Sequence, residues 1–364
     1  MNLTIKNDSK QTVYAAMFGI DNDCDWCLFD FTGNTLVKCV TGQTIAMDYL
    51  TTLPLDLVIS GMPQLASGII MFTYNQEPQD FAVVPDANGI PTVQSPSFFS
   101  GTSDFQTLFN MVEFTYSGSV YVDITNVDYF STPIELHLKG ANNDGSKIDE
   151  RKGAMTVGRN KVFEHYVSAL SGTAFEKLVV TGTTNPYVRI LGPQHGVNQG
   201  VIPTDYFDNY VKQCWEYYKH NTLSVTTSLD TYKGKVDEKT NILGLTGQTN
   251  GDVYTYSIPA PNYAFDIFGC VGVLNAPNNE YGAIAARIGA AINRTTLLAY
   301  EDQPYCDSTN YYKVKDSANL YAHVLHTFYK DGTTYAFPFD DVCNGSSTLS
   351  CQVPSSVTIT LQEF

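Results

Sequence analysis

Positive charge is scarce in this chain. Lys and Arg number 21 against 37 Asp and Glu, a formal net charge of -16. Nucleic acid and anionic membrane surfaces are held by clustered Lys and Arg, so neither is an expected partner. Charge of either sign is low, at 16% of 364 residues. No apolar run approaches the roughly 20 residues of a membrane-spanning helix. The common catalytic signatures are missing too: there is no P-loop, no GxGxxG after a strand, no HExxH and no GxSxG. No apolar leader precedes the strand-like NLTIKN that follows Met1. The chain therefore reads either as a processed secreted protein or as one that stays inside the cell.

What is plentiful points elsewhere. Hydrophobic residues make up 43% and aromatic residues 13%, enough for a globular core in one large domain or two. Low charge with many Tyr, Thr, Asn and Gly suits an extracellular β-rich protein, and a neutral polysaccharide is a compatible partner. Eight cysteines stand at 24, 27, 39, 214, 270, 306, 343 and 351. Cys24 and Cys27 form a CxxC, but no second CxxC or His pair accompanies it as a zinc site needs, and no βαβ pattern adjoins it as a redox motif needs. Disulfides are the expected use, in keeping with an oxidising compartment. Cys343 and Cys351 are the easiest pair, although spacing does not fix connectivity. Asn2, Asn7, Asn293 and Asn344 begin N-x-[ST] sequons.

Residues 1–140 read as short strands and turns, among them NLTIKN, TVYAAMFG and GIIMFTY, the spacing of a β-sandwich or barrel. Apolar stripes at helical spacing follow at Val162–Leu170, Phe207–Tyr218, Ile284–Ile292 and Leu320–Phe328. The last is expected to be capped by Asp316 or Ser317 and to stop near Asp331-Gly332. KLVVTG, YVRILGP, LSVTTSL, VYTYSIP, FDIFGC, TYAFPFDDV and SSVTITLQEF read as strands. The expected division is a β lobe with adjoining helices from 1–140 and 250–364, with a mixed α/β lobe at 141–249 inserted. His323 and His326 share a helix face at i, i+3 but lack a carboxylate cluster for a metal. His195, in a loop after Gly192-Pro193, has no reading from sequence.

The most informative stretch is Met111–Asp128, MVEFTYSGSVYVDITNVD. It reads as two strands joined at Ser117-Gly118-Ser119. Val112, Phe114, Val120, Val122 and Ile124 share one face; Glu113, Thr115, Tyr121, Asp123 and Thr125 share the other. Carboxylates, hydroxyls and one aromatic ring on a wet face are equipment for holding a sugar and moving protons, although most amphipathic hairpins are sheet elements with a solvated face. If Tyr116 pairs with Val120, Glu113 sits opposite Asp123, with Cβ atoms roughly 4.5–5.5 Å apart. Two carboxylates that close favour one of them protonated.

VEFTY followed by YVDITNVDYFSTPIELHL resembles the core of glycoside hydrolase family 64, the laminaripentaose-producing β-1,3-glucanases. FEKLVVTG, YVRILGP, FDIFGC, EYGAIAARIGAAINRTTLL and LYAHVLHTFYKDGTTYAFPFDDV resemble family segments in the same order, over most of the chain. The opening LTIKNDSKQTVYAAMFG resembles the start of thaumatin-like domains. The resemblance implies a mainly β fold, a thaumatin-like β-sandwich or barrel lobe plus a mixed α/β lobe flanking a wide groove. It also implies endo-type hydrolysis of β-1,3-glucan to short oligosaccharides by an inverting pair, Glu113 as acid and Asp128 as base. Thr115 and Thr125 match sugar-contacting threonines, Tyr121 stands where the family has Trp, Ser117 stands where it has Asn, and Asp123 often faces a family Asn. Asp123 is then a neighbour that binds substrate or tunes a pKa. By alternation Asp128 points to the apolar face, so it reaches the groove only if the strand ends or bulges near Asn126-Val127. No metal or cofactor is implied, and the chain reads as a monomer. Two other functions fit the same features: a non-catalytic glucan-binding defence protein of thaumatin-like type, and a structural or interaction protein that reuses the fold.

Overall fold

A computed structural model of the chain describes residues 1–44, 51–52, 56–79, 81–94, 101–249, 251–275 and 277–364. Two sheets dominate it. The first has five strands in the order Lys147–Lys152, Ile134–Ala141, Val353–Leu361, Asn2–Asn7 and Asp56–Ile59. The two chain ends meet there, because Asn2–Asn7 pairs in parallel with Val353–Leu361. The second runs Leu349–Cys351, Val120–Asp123, Leu108–Tyr116, Leu65–Tyr74, Val13–Ile20, Trp26–Asp30 and Thr35–Lys38, with Thr51–Thr52 added beside Val13–Ile20. Their inner faces share one apolar core, with Ile5, Leu136 and Ile359 from the first meeting Ile70, Val112 and Val122 from the second. Alternation along each strand is what allows this: the even-numbered residues of Leu108–Tyr116 go inward and the odd-numbered ones are left for the outer face.

The outer face of the second sheet is only partly covered. The hairpin of Ala82–Pro85 and Pro91–Gln94 lays Val83 over Ala16, Phe18, Leu28 and Met71, a small separate core. Next to it Phe109 and Met111 pack with Tyr129, and among the described residues a cleft remains around Glu113, Thr115, Tyr121 and Asp123.

The remaining chain forms the mixed part. Helices Arg159–Ala169, Asp208–His220, Glu280–Asn293 and Leu320–His326 realise the four apolar stripes. A second five-stranded sheet runs Asp252–Pro259, Ile242–Thr249, Thr231–Val236, Leu223–Thr226 and Asp302–Gln303. Ile242–Thr249 pairs with Asp252–Pro259 along its length, so a division at residues 249 and 250 falls between paired strands of one sheet.

Three local expectations are corrected. FDIFGC is not a strand: Ala264–Gly269 is a short helix burying Ala264, Ile267 and Phe268 at i, i+3 and i+4, a period that so short an apolar run conceals. TYAFPFDDV is a series of turns with a single bridge from Tyr335 to Thr125, because Asp340 Oδ2 accepts the Ala336 amide at 3.0 Å and closes the chain on itself. The helix at Leu320 is capped by Asn319, whose side chain accepts from the Ala322 amide, rather than by Asp316 or Ser317, and it ends at His326, short of Asp331-Gly332.

Cys343 pairs with Cys306, not with Cys351, which is buried with its thiol 3.2 Å from the Ala141 carbonyl. The CxxC holds no disulfide. Burial and the neighbouring Asp21 carboxylate push the Cys27 thiol up to about 12, and burial pushes Cys39 to about 11, which suits packing rather than redox or metal work. Among the described residues no group of three or more His, Cys, Asp or Glu side chains could hold a metal. Titration of the denatured, unreduced protein should therefore find six thiols, the number of free cysteines here; eight would remove the bridge and with it the case for an oxidising compartment.

His326 is committed to a buried ion cluster. Asp340 is fully buried, with Arg294 Nη2 at 2.9 Å from one carboxylate oxygen and His326 Nε2 at 2.9 Å from the other. Burial alone would raise Asp340, but His326 and Arg294 outweigh it and hold the carboxyl below its usual value. Burial alone would lower His326, and Asp340 outweighs it and raises the imidazole. Asp340 stabilises the fold above the ordinary 3.8 and loses that effect as pH falls through its lowered folded value. The His326 contribution is complete below the ordinary 6.5 and is lost as pH rises through its raised folded value. The cluster thus contributes most between those two ordinary values. Asp340→Ala should cost about 3–5 kcal/mol by leaving buried cations unpaired. His326→Gln should flatten the loss of thermal stability on the neutral side of 6.5. Parallel Tm–pH curves for wild type and His326→Gln would show that the pair contributes nothing.

Candidate active site

The hairpin forms in the expected register. Tyr116 pairs with Val120, Thr115 with Tyr121, and Glu113 stands opposite Asp123. Gly118, at φ +96°, supplies the left-handed turn residue. On the other side Glu113 pairs with Ile69, and the register slips between Phe114 and Tyr116. The irregularity leaves Ser67 at φ 47°, a bulge of the kind that opens a sheet face beside a site. Ser67, Glu113, Thr115, Tyr121, Asp123 and Trp26 line a cleft of about 300 Å³ on this open face.

Electrostatics in the cleft favour protonated carboxyls. Burial, then the Glu113 charge, pushes Asp123 up to about 7. Burial, then the Asp128 charge, raises Glu113. Asp123 Oδ1 is buried and accepts no hydrogen bond, and among the described residues no cation pairs with Glu113 or Asp123. Tyr121 stays 57% exposed, an accessible ring beside two acids.

The strand ends at Asp123, earlier than the Asn126-Val127 break expected from sequence. Thr125 bridges to Tyr335 and is buried, its Oγ1 accepting the Val127 amide at 3.4 Å. Asn126 donates to Tyr329 Oη and Thr334 Oγ1, both at 2.8 Å, and its carbonyl accepts from Tyr321 Oη at 2.6 Å. Tyr129–Phe130 then pairs with Arg189–Leu191 in another sheet. Asp128 is thus released from the alternation that would have turned it inward. The short helix Pro193–Asn198 fixes it. His195 Nε2 lies 2.8 Å and Gln194 Nε2 3.2 Å from Asp128 Oδ1, while the Gly192 amide donates to the Asp128 carbonyl at 2.7 Å. The Asp128 side chain remains 43% exposed, so one acid is held and still reaches water.

The sequence matches the family model of the glycoside hydrolase family 64 β-1,3-glucanases over residues 1–361. The chain belongs to that family. It is 30% identical over 312 residues to the glucan endo-1,3-β-glucosidase of Cellulosimicrobium cellulans, covering 83% of this chain and 53% of that protein. It therefore spans about half the length of that curated relative. The fold superposes on a laminaripentaose-producing β-1,3-glucanase crystallised with laminaritetraose, with a TM-score of 0.85, 25% identity, and coverage of 100% of this chain and 98% of the other. A β-1,3-glucanase domain from Clostridium beijerinckii shares the fold at a TM-score of 0.83 and 22% identity, with the same coverage.

Against the family 64 expectation, the structure brings Glu113, Thr115, Tyr121 and Asp123 into one cleft and puts Asp128 within electrostatic reach of Glu113. Thr125 lies beyond the strand end and shapes the turn toward Asp128. Four neighbours were not legible as site residues: Trp26, Gln194, His195 and Tyr335. The Tyr335 phenol is raised by burial and by the charges of Asp341, Asp123 and Glu113, and its hydroxyl donates to the Pro338 carbonyl at 2.9 Å. None of the four gave a usable signal in the sequence: His195 stands behind Gly192-Pro193, and nothing in its spacing pointed to Asp128.

If His195 orients Asp128, His195→Ala should lower kcat about tenfold to a hundredfold on a β-1,3-glucan with little change in KM, because geometry at a reacting group is costly to lose. His195→Gln, which keeps a side-chain N–H donor, should recover part of the loss. Equal kcat values for wild type and His195→Ala would dismiss the orienting role.

Proposed function

We propose that this protein is an endo-acting β-1,3-glucanase that cleaves with inversion, with Glu113 as general acid and Asp128 as general base. One observation carries the reading: a cross-strand acid pair in an open cleft, with a third carboxylate held separately beyond the strand end. Inversion needs a protonated acid on one side of the scissile bond and a carboxylate on the other, about 6.5–9.5 Å apart, to leave room for water. Glu113 and Asp123 face each other too closely for that. The facing pair together retains a proton up to about 7, which suits donating one rather than taking one. Asp128 is exposed and hydrogen-bonded, which suits a base that meets water. Thr115 and Tyr121 meet the sugars, and Thr125 serves them through the turn it shapes. Family membership and the β-1,3-glucanase neighbours support the substrate class. Short oligosaccharides are the products of this reading, and the Cys306–Cys343 bridge supports a secreted protein.

Glu113→Gln and Asp128→Asn should each lower laminarin hydrolysis by about 10²–10⁴-fold or more, while Asp123→Asn leaves reduced, measurable activity. Proton NMR of the first product should show the α-anomer. The β-anomer first, with Asp123→Asn inactive and Asp128→Asn active, would assign the reaction to the cross-strand pair and retention. Asp123→Asn also carries a pH signature. The facing pair keeps one proton between them until its loss near 7 leaves two like charges side by side, so a neutral Asn at 123 lets Glu113 lose its proton at lower pH and moves the alkaline limb of the activity profile downward. An unmoved limb would exclude Asp123 from tuning the acid.

A further inference from the structure

Trp26 opens the strand Trp26–Asp30, and sequence reasoning passed over it as part of the CxxC. The register puts it on the catalytic face. Ile69 stands opposite both Glu113 and Phe18, and Phe18 stands opposite Leu28, so all four side chains share one side of the sheet. Trp26 lies two residues before Leu28 and therefore takes that side as well. Its indole rests on the small outer core, with the Phe18 ring centroid 6.4 Å away, and lines the same cleft as Glu113, Tyr121 and Asp123. Two strands separate Trp26–Asp30 from Leu108–Tyr116, a lateral distance of three strand spacings or about 14 Å. That is further than one sugar ring spans. Ser67 and Ile69 line the floor between them.

We infer that Trp26 is a distal glucan subsite: its ring face packs on a glucosyl unit several residues along the chain from the bond being cut. The inference rests on the glucanase reading, and it adds to it that the cleft grips the polysaccharide at two aromatic points, Tyr121 at the acids and Trp26 beyond them. A flat indole backed by an apolar core offers a rigid surface at little entropic cost, and the sugar's C–H face is its natural complement. The subsite makes affinity depend on oligosaccharide length, because a short ligand held at the acids does not extend to Trp26.

Isothermal titration of the Glu113→Gln protein with laminarihexaose and laminaritriose tests this. Adding Trp26→Leu, which keeps apolar volume over Phe18 but removes the flat ring, should weaken hexaose binding about tenfold and leave triose binding unchanged. Trp26→Tyr should restore most of the hexaose affinity, a recovery that a merely structural Trp would not show in a length-dependent way. A parent protein that binds no glucan overturns the subsite together with the reading it rests on. A Trp26→Leu protein with undiminished hexaose affinity, in a chain that otherwise binds and cleaves laminarin, overturns the subsite alone. Equal losses for triose and hexaose overturn it as well, by tracing the effect to the acids or to the fold.

Discussion

The register between Leu108–Tyr116 and Val120–Asp123 is the constraint on which the site depends. A slip of one residue would turn Val112, Phe114, Val120 and Val122 out of the shared core and Glu113 and Asp123 into it. Burying the apolar side is what holds the strands in place, at roughly 1.5–3 kcal/mol for each large apolar side chain taken from water. The juxtaposition of the two acids is a by-product of that packing. Two like charges across one pair, partly buried and with no cation paired to them among the described residues, are tolerable only if one proton stays. The inner face of the sheet thus sets the protonation state of the outer face.

The third carboxylate obeys a different logic. Asp128 would be an inward-pointing charge had the strand continued, so the chain must leave the sheet before it. Asn126 anchors the departure through three hydrogen bonds to residues more than 190 positions away in sequence, on the Leu320–His326 helix and the turns after it. His195 and Gln194 then meet Asp128 from another element. The two carboxylates are consequently held by separate parts of the structure: Glu113 by the sandwich, Asp128 by the mixed part. The cleft itself is built on the sandwich, from Trp26, Ser67, Glu113, Thr115, Tyr121 and Asp123, and Asp128 stands within electrostatic reach of it.

Local pattern made half of this legible. Alternation assigned both faces of the hairpin, Ser117-Gly118-Ser119 fixed the turn, and register followed from the turn length. Apolar stripes located the four main helices. What failed were short apolar runs and long-range choices. FDIFGC holds too few residues to separate a period of two from one of 3.6. Cys343 had a near neighbour in Cys351 and a true partner in Cys306, a choice made by tertiary proximity alone. Trp26, His195 and Tyr335 are contributed by three distant segments, and no spacing rule links them to Glu113. Asp128 came from the family resemblance, and alternation by itself would have pointed to Asp123.

Tyr335 shows why the fold invests a buried charge cluster so near the site. The turns from Asp331 to Gly345 carry no ladder to stiffen them, yet they deliver Thr334 to Asn126 and Tyr335 to Thr125. Their rigidity has to come from side chains. Arg294 donates to the Val342 and Asp340 carbonyls at 2.8 and 3.0 Å and to the Asp340 carboxylate. His326 reaches the Gly332 carbonyl at 2.7 Å with its other nitrogen. The Cys306–Cys343 bridge ties the far end of the same loop to the segment after Asp302–Gln303. A buried ion cluster is a poor source of net stability, since desolvation offsets most of the attraction. Its value lies in direction: each charged group accepts only one arrangement of its partners. Here that arrangement fixes a loop, the loop fixes Asn126 and Thr125, and they fix where the chain turns to present Asp128.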